Sequence, residues 1–423
     1  MNVMAIPGSQ WFAPDRKSYF KACLVVFLLS VLVSLLFLAC LPAHLRVNTA
    51  GDYRSFYAPV ARNVLAGEGL TNTHGRPAVR YPPGYVVVTA GLFSLAKATG
   101  LPEMTVTIAF NILCLGLSGV IIFLMAKNFW RPAYAFLAAA GFMSYPIVLW
   151  FLKQPSVELP FLVALYGGVW LLMVPLVKQE LRWYFFFFSG LLVGCAMLLR
   201  PIAIGVPLAM APVVWFFLPG SSPVRRLGLW CLILLGVGVV VGPWEVWIYY
   251  KTQKFYLLSS GGVPSMMDGL IFGLARKYRA GLDLSPEVAG VMRYFLDHYG
   301  AMHSMRDIFT ALLGLFWEHP VAVIKLFCLK LVRAWYGTDA LNHENIILLM
   351  QVSYLTALLW GTKNALKAGG RWLCLAVGIW LLVFDFWLIT ILVLPILRYM
   401  VPVIGLLFLL LPAIFWKQAR LYS

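Results

Sequence analysis

The chain has 423 residues, 62% of them hydrophobic and 12% charged, with a mean hydropathy of +0.85. That composition excludes a soluble enzyme with its own aqueous core, and apolar runs long enough to cross ~30 Å of hydrocarbon recur along most of the sequence. The net charge of +17 does not point to nucleic acid, because Lys and Arg flank hydrophobic runs and do not gather on one soluble face; anionic headgroups or a lipid phosphate fit it better.

The first apolar run, 20–41, follows a polar segment and is followed by many others. It therefore reads as a retained transmembrane helix and not as a signal peptide. Arg16, Lys17 and Lys21 at its start place the N-terminus in the cytoplasm, so the polar stretch 51–85 falls outside. Within that stretch the i+4 recurrence of Phe56, Val60 and Val64 predicts a helix over 52–66. Asp52 is placed to cap it, Gly67 to end it and Pro59 to kink or divide it.

Arg80-Tyr81-Pro82-Pro83-Gly84-Tyr85 predicts an extended turn leading into the short apolar helix 85–98, expected to be interfacial because a full crossing would put Lys127 and Arg131 outside. Further spans are predicted at about 103–126, 133–151, 158–176, 183–199, 201–218, 227–249, 343–362, 371–391 and 396–415, which makes roughly ten with the first. Each inner turn carries at least two basic residues: Lys127/Arg131, Lys178/Arg182, Arg225/Arg226, Lys363/Lys367/Arg371 and Lys417/Arg420. The long outer segments nevertheless hold most of the remaining Lys and Arg, and an anionic outer substrate would account for them. Residues 320–335 form an amphipathic pattern expected to lie in the outer headgroup layer. The organisation expected is thus a transmembrane module 1–250 with a first outer loop 43–102, an outer loop 251–342, and C-terminal spans 343–423.

Few polar residues can carry chemistry in such a chain. Asp52 sits near the end of the first span beside Tyr53, Arg54 and Tyr57; a carboxylate there serves either as a general base or as a plain helix cap. Arg80, with Tyr81 and Tyr85, can reach a phosphate or simply anchor the turn at the interface. Glu158, after Lys153-Gln154-Pro155-Ser156, is either a second site acid or a loop residue paired with Lys153. Arg200-Pro201 interrupts one apolar run and Arg398-Tyr399 lies just inside the last span. A guanidinium at such depth is a functional candidate able to hold a lipid phosphate, with Asp385 as the alternative, purely structural partner of Arg398.

His298 and His303 with Asp297 and Asp307 match no strong metal-ligand spacing, so no metal site is assigned. The seven cysteines form no C-x-x-C pair and read as small core residues. No Walker loop or Rossmann glycine pattern occurs, which argues against a nucleotide donor, and no cofactor is expected.

The order Asp52, Tyr57, Ala61, Leu65, Gly67, Gly69 and Pro82-Pro83-Gly84, followed by Ser144-Tyr145-Pro146, Glu158, Leu199-Arg200-Pro201 and Arg398-Tyr399 with Pro402, resembles the polyprenyl-phosphate-dependent glycosyltransferases of the GT-C fold. The branch most similar comprises the protein O-mannosyltransferases and the lipid A aminoarabinose transferases. The resemblance implies an all-α polytopic GT-C protein in the cytoplasmic membrane, with both termini cytoplasmic and its site outside. Its partners would be a polyprenyl-phosphate sugar donor, membrane lipids and an acceptor lipid, glycan or protein.

Asp52 is then the catalytic acid–base residue, Glu158 lies toward the acceptor, Arg80, Arg200 and Arg398 meet the donor phosphate, and Tyr57, Tyr81, Tyr85 and Tyr399 line the pocket. Two positions depart from the pattern. Tyr53 follows Asp52 where a second acid is common, and Tyr81 precedes Pro-Pro where some members have lysine, leaving Arg80 to make the phosphate contact. A diphosphate-glycan ligase or polymerase, for which Arg276, Lys277, Arg279 and Arg293 would speak, and a lipid-linked sugar flippase are the alternatives.

Overall fold

The computed structural model describes residues 16–46, 50–218, 220–275 and 281–416. Arg276, Lys277, Arg279, Lys417 and Arg420 lie outside those residues, as do the side chains of Arg16 and Lys17. The regular structure among the described residues is helical, with isolated bridge positions at Thr71–Pro77 and Trp130.

In chain order the helices are α1 (Arg16–Cys40), a π-helical turn (Tyr53–Tyr57) running into α2 (Ala58–Leu65), α3 (Gly84–Thr99), α4 (Glu103–Ala126), α5 (Pro132–Met143), α6 (Pro146–Trp150), α7 (Glu158–Lys178), α8 (Trp183–Leu199), α9 (Val206–Phe217) and α10 (Pro223–Thr252). Residues 251–342 contribute α11 (Gly262–Leu270), α12 (Pro286–Asp297), α13 (Met305–Glu318) and α14 (Pro320–Arg333). They are followed by α15 (Glu344–Ala368), α16 (Gly370–Leu392) and α17 (Leu397–Leu407), which continues as a 3-10 stretch to Phe415. The protein is an all-α, multi-pass membrane protein.

Among the described residues seven helices are long and apolar enough to cross a bilayer, and eight if α5 and α6, bent by 49°, count as one broken span. The ten predicted apolar segments are all helical, but three fall short of a regular crossing. Pro146 cannot donate to the preceding turn and breaks 133–151, while Arg200-Pro201 separates α8 from α9, each too short to span alone. The short helix expected over 85–98 is the 16-residue α3.

Helices α8 and α10 pack backbone to backbone. A Cβ on Gly190 would collide with the Ile233 carbonyl and one on Gly236 with the Phe187 carbonyl, so small residues spaced by four set this contact. The last stretch threads through the centre, with Tyr166 donating to the Pro402 carbonyl at 2.8 Å and Trp130 Nε1 to that of Leu409 at 2.8 Å. A second, separate core of Met266, Leu270, Phe272, Met292, Phe295, Leu312 and Leu326 holds α11–α14 together. The cysteines correct the sequence reading: all seven are free, and Cys40, Cys195, Cys231 and Cys328 are exposed on helix surfaces. In a membrane protein an apolar thiol loses nothing by facing lipid.

Candidate functional site

The functional candidates come from separate elements that end at the same side of the bundle: the C-terminal ends of α1, α8 and α16, and the N-terminal ends of α3, α7, α15 and α17. The chain leaving α1 re-enters helix at Gly51, so Asp52 is already helical (φ −60°, ψ −37°) and its side chain caps nothing. The cap reading of Asp52 is therefore replaced. Pro59 has no N–H to give to the turn before it, and the helix accommodates this by widening: Ala58 N–H bonds the Tyr53 carbonyl, five residues back. The widened turn buries Phe56 and Tyr57 and leaves the Asp52 side chain 46% exposed.

The Pro-Pro-Gly turn docks against the corner after α8. A Cβ on Gly84 would lie 2.5 Å from the Leu198 carbonyl, so only glycine permits the approach. This brings Tyr81 over Tyr57, stacked at 5.4 Å, with Tyr85 edge-on to Tyr57 at 5.0 Å. The Tyr81 hydroxyl donates to Asp52 Oδ1 at 2.9 Å. Burial, and then the Asp52 charge, push the Tyr81 phenol up to about 12, which keeps it a proton donor to the carboxylate. Burial likewise raises the Tyr57 phenol.

Glu158 opens α7 with its side chain only 8% exposed. Arg200 Nη1 lies 3.0 Å from Glu158 Oε1, Arg398 Nε lies 3.1 Å from the same oxygen, and the Ser156 hydroxyl donates to Oε2 at 2.7 Å. The Nε contact has ion-pair distance without hydrogen-bond alignment. The expected Glu158–Lys153 pair is absent: Lys153 donates to the Leu45 carbonyl at 3.0 Å and sits over the Trp150 ring.

Arg398, 32% exposed, also reaches Asp339 Oδ2 at 3.7 Å through Nη1 and Asp52 Oδ2 at 3.9 Å through Nη2. The Arg398–Asp385 pair read from the sequence is thus overturned. Asp385 lies about two turns before the end of α16, against Gly205 of the short 3-10 stretch that precedes α9, and the chain reverses through 393–396 before α17 begins. Tyr399 places its ring 5.1 Å from the Arg200 guanidinium and 5.8 Å from that of Arg398.

The sequence reading missed the role of 333–344. The buried Arg333 donates from Nη1 to the Pro395 carbonyl at 2.7 Å and from Nη2 to the Thr338 carbonyl at 2.7 Å, and it pairs with Glu344. One guanidinium therefore ties the Asp339 loop to the bend that precedes Arg398. Arg333 reads as part of the charged side of the 320–335 pattern, yet Lys330 and Arg333 are buried while Val321 and Ile324 are exposed, so no local signal pointed to Asp339. Arg80 stays at the rim, exposed, with its guanidinium 5.4 Å over the Tyr81 ring, while its carbonyl lies so close to Gly261 that a Cβ there would collide with it.

Ser304 and Asp307 form a capping box at the start of α13, with Asp307 accepting from the Ser304 amide at 2.8 Å and the His303 amide at 3.0 Å, and His298 stacks on Tyr294 at 4.4 Å. Among the described residues no three His, Cys, Asp or Glu converge on one point.

Solved structures match this arrangement of helices, and two of them are instructive. ArnT from Cupriavidus metallidurans, bound to undecaprenyl phosphate, superimposes over 95% of the chain with a TM-score of 0.50 and 14% identity. The oligosaccharyltransferase AglB from Archaeoglobus fulgidus, in complex with an inhibitory peptide and a dolichol-phosphate, does so over 94% with a TM-score of 0.53 and 11% identity. The chain has the GT-C fold. It covers 60% of the ArnT chain and 50% of the AglB chain. No protein-family profile matches the sequence, and no curated protein matches it. The GT-C likeness thus rests on tertiary structure, at identities too low to carry residue roles across.

Proposed function

We propose that this GT-C protein is an integral membrane glycosyltransferase that moves a sugar from a polyprenyl-phosphate donor to an acceptor on the outer face of the cytoplasmic membrane, with inversion. The observation that carries the reading is the exposed Asp52 carboxylate, oriented by Tyr81 and set 3.9 Å from the partly exposed Arg398. A base and a phosphate-binding cation thus share one opening. Both structural neighbours were solved with a polyprenyl phosphate, which supports the same donor class here.

In the proposed step the acceptor hydroxyl oxygen attacks the anomeric carbon as Asp52 takes its proton. The bond from that carbon to the phosphate oxygen breaks with its electron pair on phosphate, where Arg398 and, behind it, Arg200 offset the charge. The products are the glycosylated acceptor and the polyprenyl phosphate. Glu158 holds both arginines in place on the acceptor side, and Tyr57, Tyr85 and Tyr399 wall the pocket, with Arg80 at the rim where a phosphate enters.

The experiment is transfer by the purified protein in proteoliposomes, supplied in parallel with polyprenyl-monophosphate sugars, diphosphate-linked glycans and nucleotide sugars, with a membrane extract as acceptor. Monophosphate-dependent transfer that is lost in Asp52→Asn is expected. Turnover of the diphosphate donors alone would assign the protein to the ligase or polymerase class, and an undiminished rate in a folded Asp52→Asn would remove Asp52 from the chemistry.

A further inference from the structure

Glu245 is an acid in a long apolar helix that the site itself does not use. It lies on α10 about two turns before Thr252, and a carboxylate in such a helix is costly enough to need an account. Among the described residues it forms no ion pair. Its Oε1 accepts the Leu258 N–H at 2.7 Å, while its Oε2 is buried without a hydrogen bond. The neighbouring Trp244 donates from Nε1 to the Leu258 carbonyl at 2.8 Å. Two consecutive side chains of α10 thus hold both backbone polar groups of one residue.

Leu258 needs that hold. Its φ of +63° lies in the left-handed region, which a residue with a side chain seldom adopts, and its side chain is fully buried. The turn brings the following residues onto the polar stretch of the site. Ser260 donates to the Val79 carbonyl from its N–H at 2.8 Å and from Oγ at 3.3 Å. Gly261 then packs on the Arg80 carbonyl, where a Cβ would collide. Further along, the same stretch docks through Gly84 on the Leu198 carbonyl. The backbone on either side of Tyr81 is therefore fixed, by the turn after α10 before it and by the corner after α8 beyond it, and Tyr81 is the residue that bonds to Asp52.

We infer that Glu245 is a positioning residue of the candidate site: by fixing Leu258 in its left-handed turn it holds the Val79–Arg80 backbone, so that Tyr81 keeps the Asp52 carboxylate oriented. This rests on the reading of Asp52 as the base. The role asks of Glu245 an acceptor oxygen and no charge. Glutamine supplies that oxygen and alanine does not.

The test is a double-mutant cycle on transfer, in proteoliposomes supplied with a polyprenyl-monophosphate sugar and a membrane extract. Glu245→Ala is expected to lower kcat about tenfold in the wild-type background and less than about twofold in Tyr81→Phe, because the hydroxyl it positions is then already gone. Glu245→Gln is expected to restore the rate. Damage to the fold would lower the rate by the same factor in both backgrounds. Equal losses in the two backgrounds, or a Glu245→Gln as slow as Glu245→Ala, overturn the role of Glu245, and loss of transfer in Asp52→Asn then leaves the base reading standing. An undiminished rate in both Asp52→Asn and Tyr81→Phe removes the base reading and this role with it. Hydrogen exchange of the full chain in lipid nanodiscs reads the brace without turnover. Glu245→Ala is expected to speed exchange in peptides covering 78–82 as well as 256–261, with Glu245→Gln like wild type; faster exchange at 256–261 alone, or no change, overturns the link.

Discussion

Two clusters of charge in this protein behave differently. At the mouth of the bundle Asp52, Glu158, Arg200, Asp339 and Arg398 come from five separate places in the chain, and each ion pair joins residues far apart in sequence. In the α11–α14 segment the polar contacts are mostly close in sequence: Asp307 caps its own helix and His298 stacks on Tyr294. Lys325–Glu287 is an exposed surface pair between neighbouring helices. In the first cluster Glu158 and Arg200 are buried, so removing one leaves the other an unpaired buried charge, while Asp52, Asp339 and Arg398 are partly exposed. The second is solvated, and its members are individually replaceable.

The largest effect separating the two regions is expected at Asp52. Asp52→Asn should lower the transfer rate by about 10²–10⁴-fold with the protein level unchanged, the range for loss of a positioned base. Glu158→Gln should follow, since it strips a shared partner from Arg200 and Arg398. A loss of ~3–5 kcal/mol in stability is expected, read as a lower melting temperature in detergent. Lys153→Gln, close by in sequence but bonded to the Leu45 carbonyl, should cost ~1 kcal/mol; an equal loss in both would restore the Glu158–Lys153 pair.

Lys330 tests the boundary between the two regions. Its ammonium is fully buried in α14, 3.4 Å from the Leu392 carbonyl, and burial pushes its pKa down to about 7. The unfolded chain therefore holds more protons between about pH 7 and the ordinary lysine value. Stability should rise across that window as pH rises, and the penalty is complete below about pH 7. Lys330→Met should flatten that rise and be the more stable protein at pH 7, as thermal melts across the window would show. Smallest of all is Leu313→Ala on the exposed face of α13, expected to change stability by less than ~0.5 kcal/mol and transfer hardly at all; a large loss of transfer would make this face part of the site.

The sequence by itself determined the class of protein and the list of parts. Apolar run lengths, the basic turns between spans and the two proline corners follow from local chemistry, since a chain that must satisfy its backbone in hydrocarbon has little choice but helix. Asp52, Glu158, Arg200 and Arg398 were legible for the same reason: a charge near membrane depth is too costly to be incidental.

What only the tertiary structure decided is who meets whom. Asp385 is nearer to Arg398 in sequence than Glu158 is, yet the reversal between α16 and α17 turns Arg398 toward the starts of α7 and α2. Lys153 precedes Glu158 by one short turn, yet points to Leu45. Asp339 gave no pattern to read, because it acts through a loop braced by Arg333 from α14 and Glu344 from α15. Ion pairs are set by where helix ends converge, and that depends on packing between elements hundreds of residues apart.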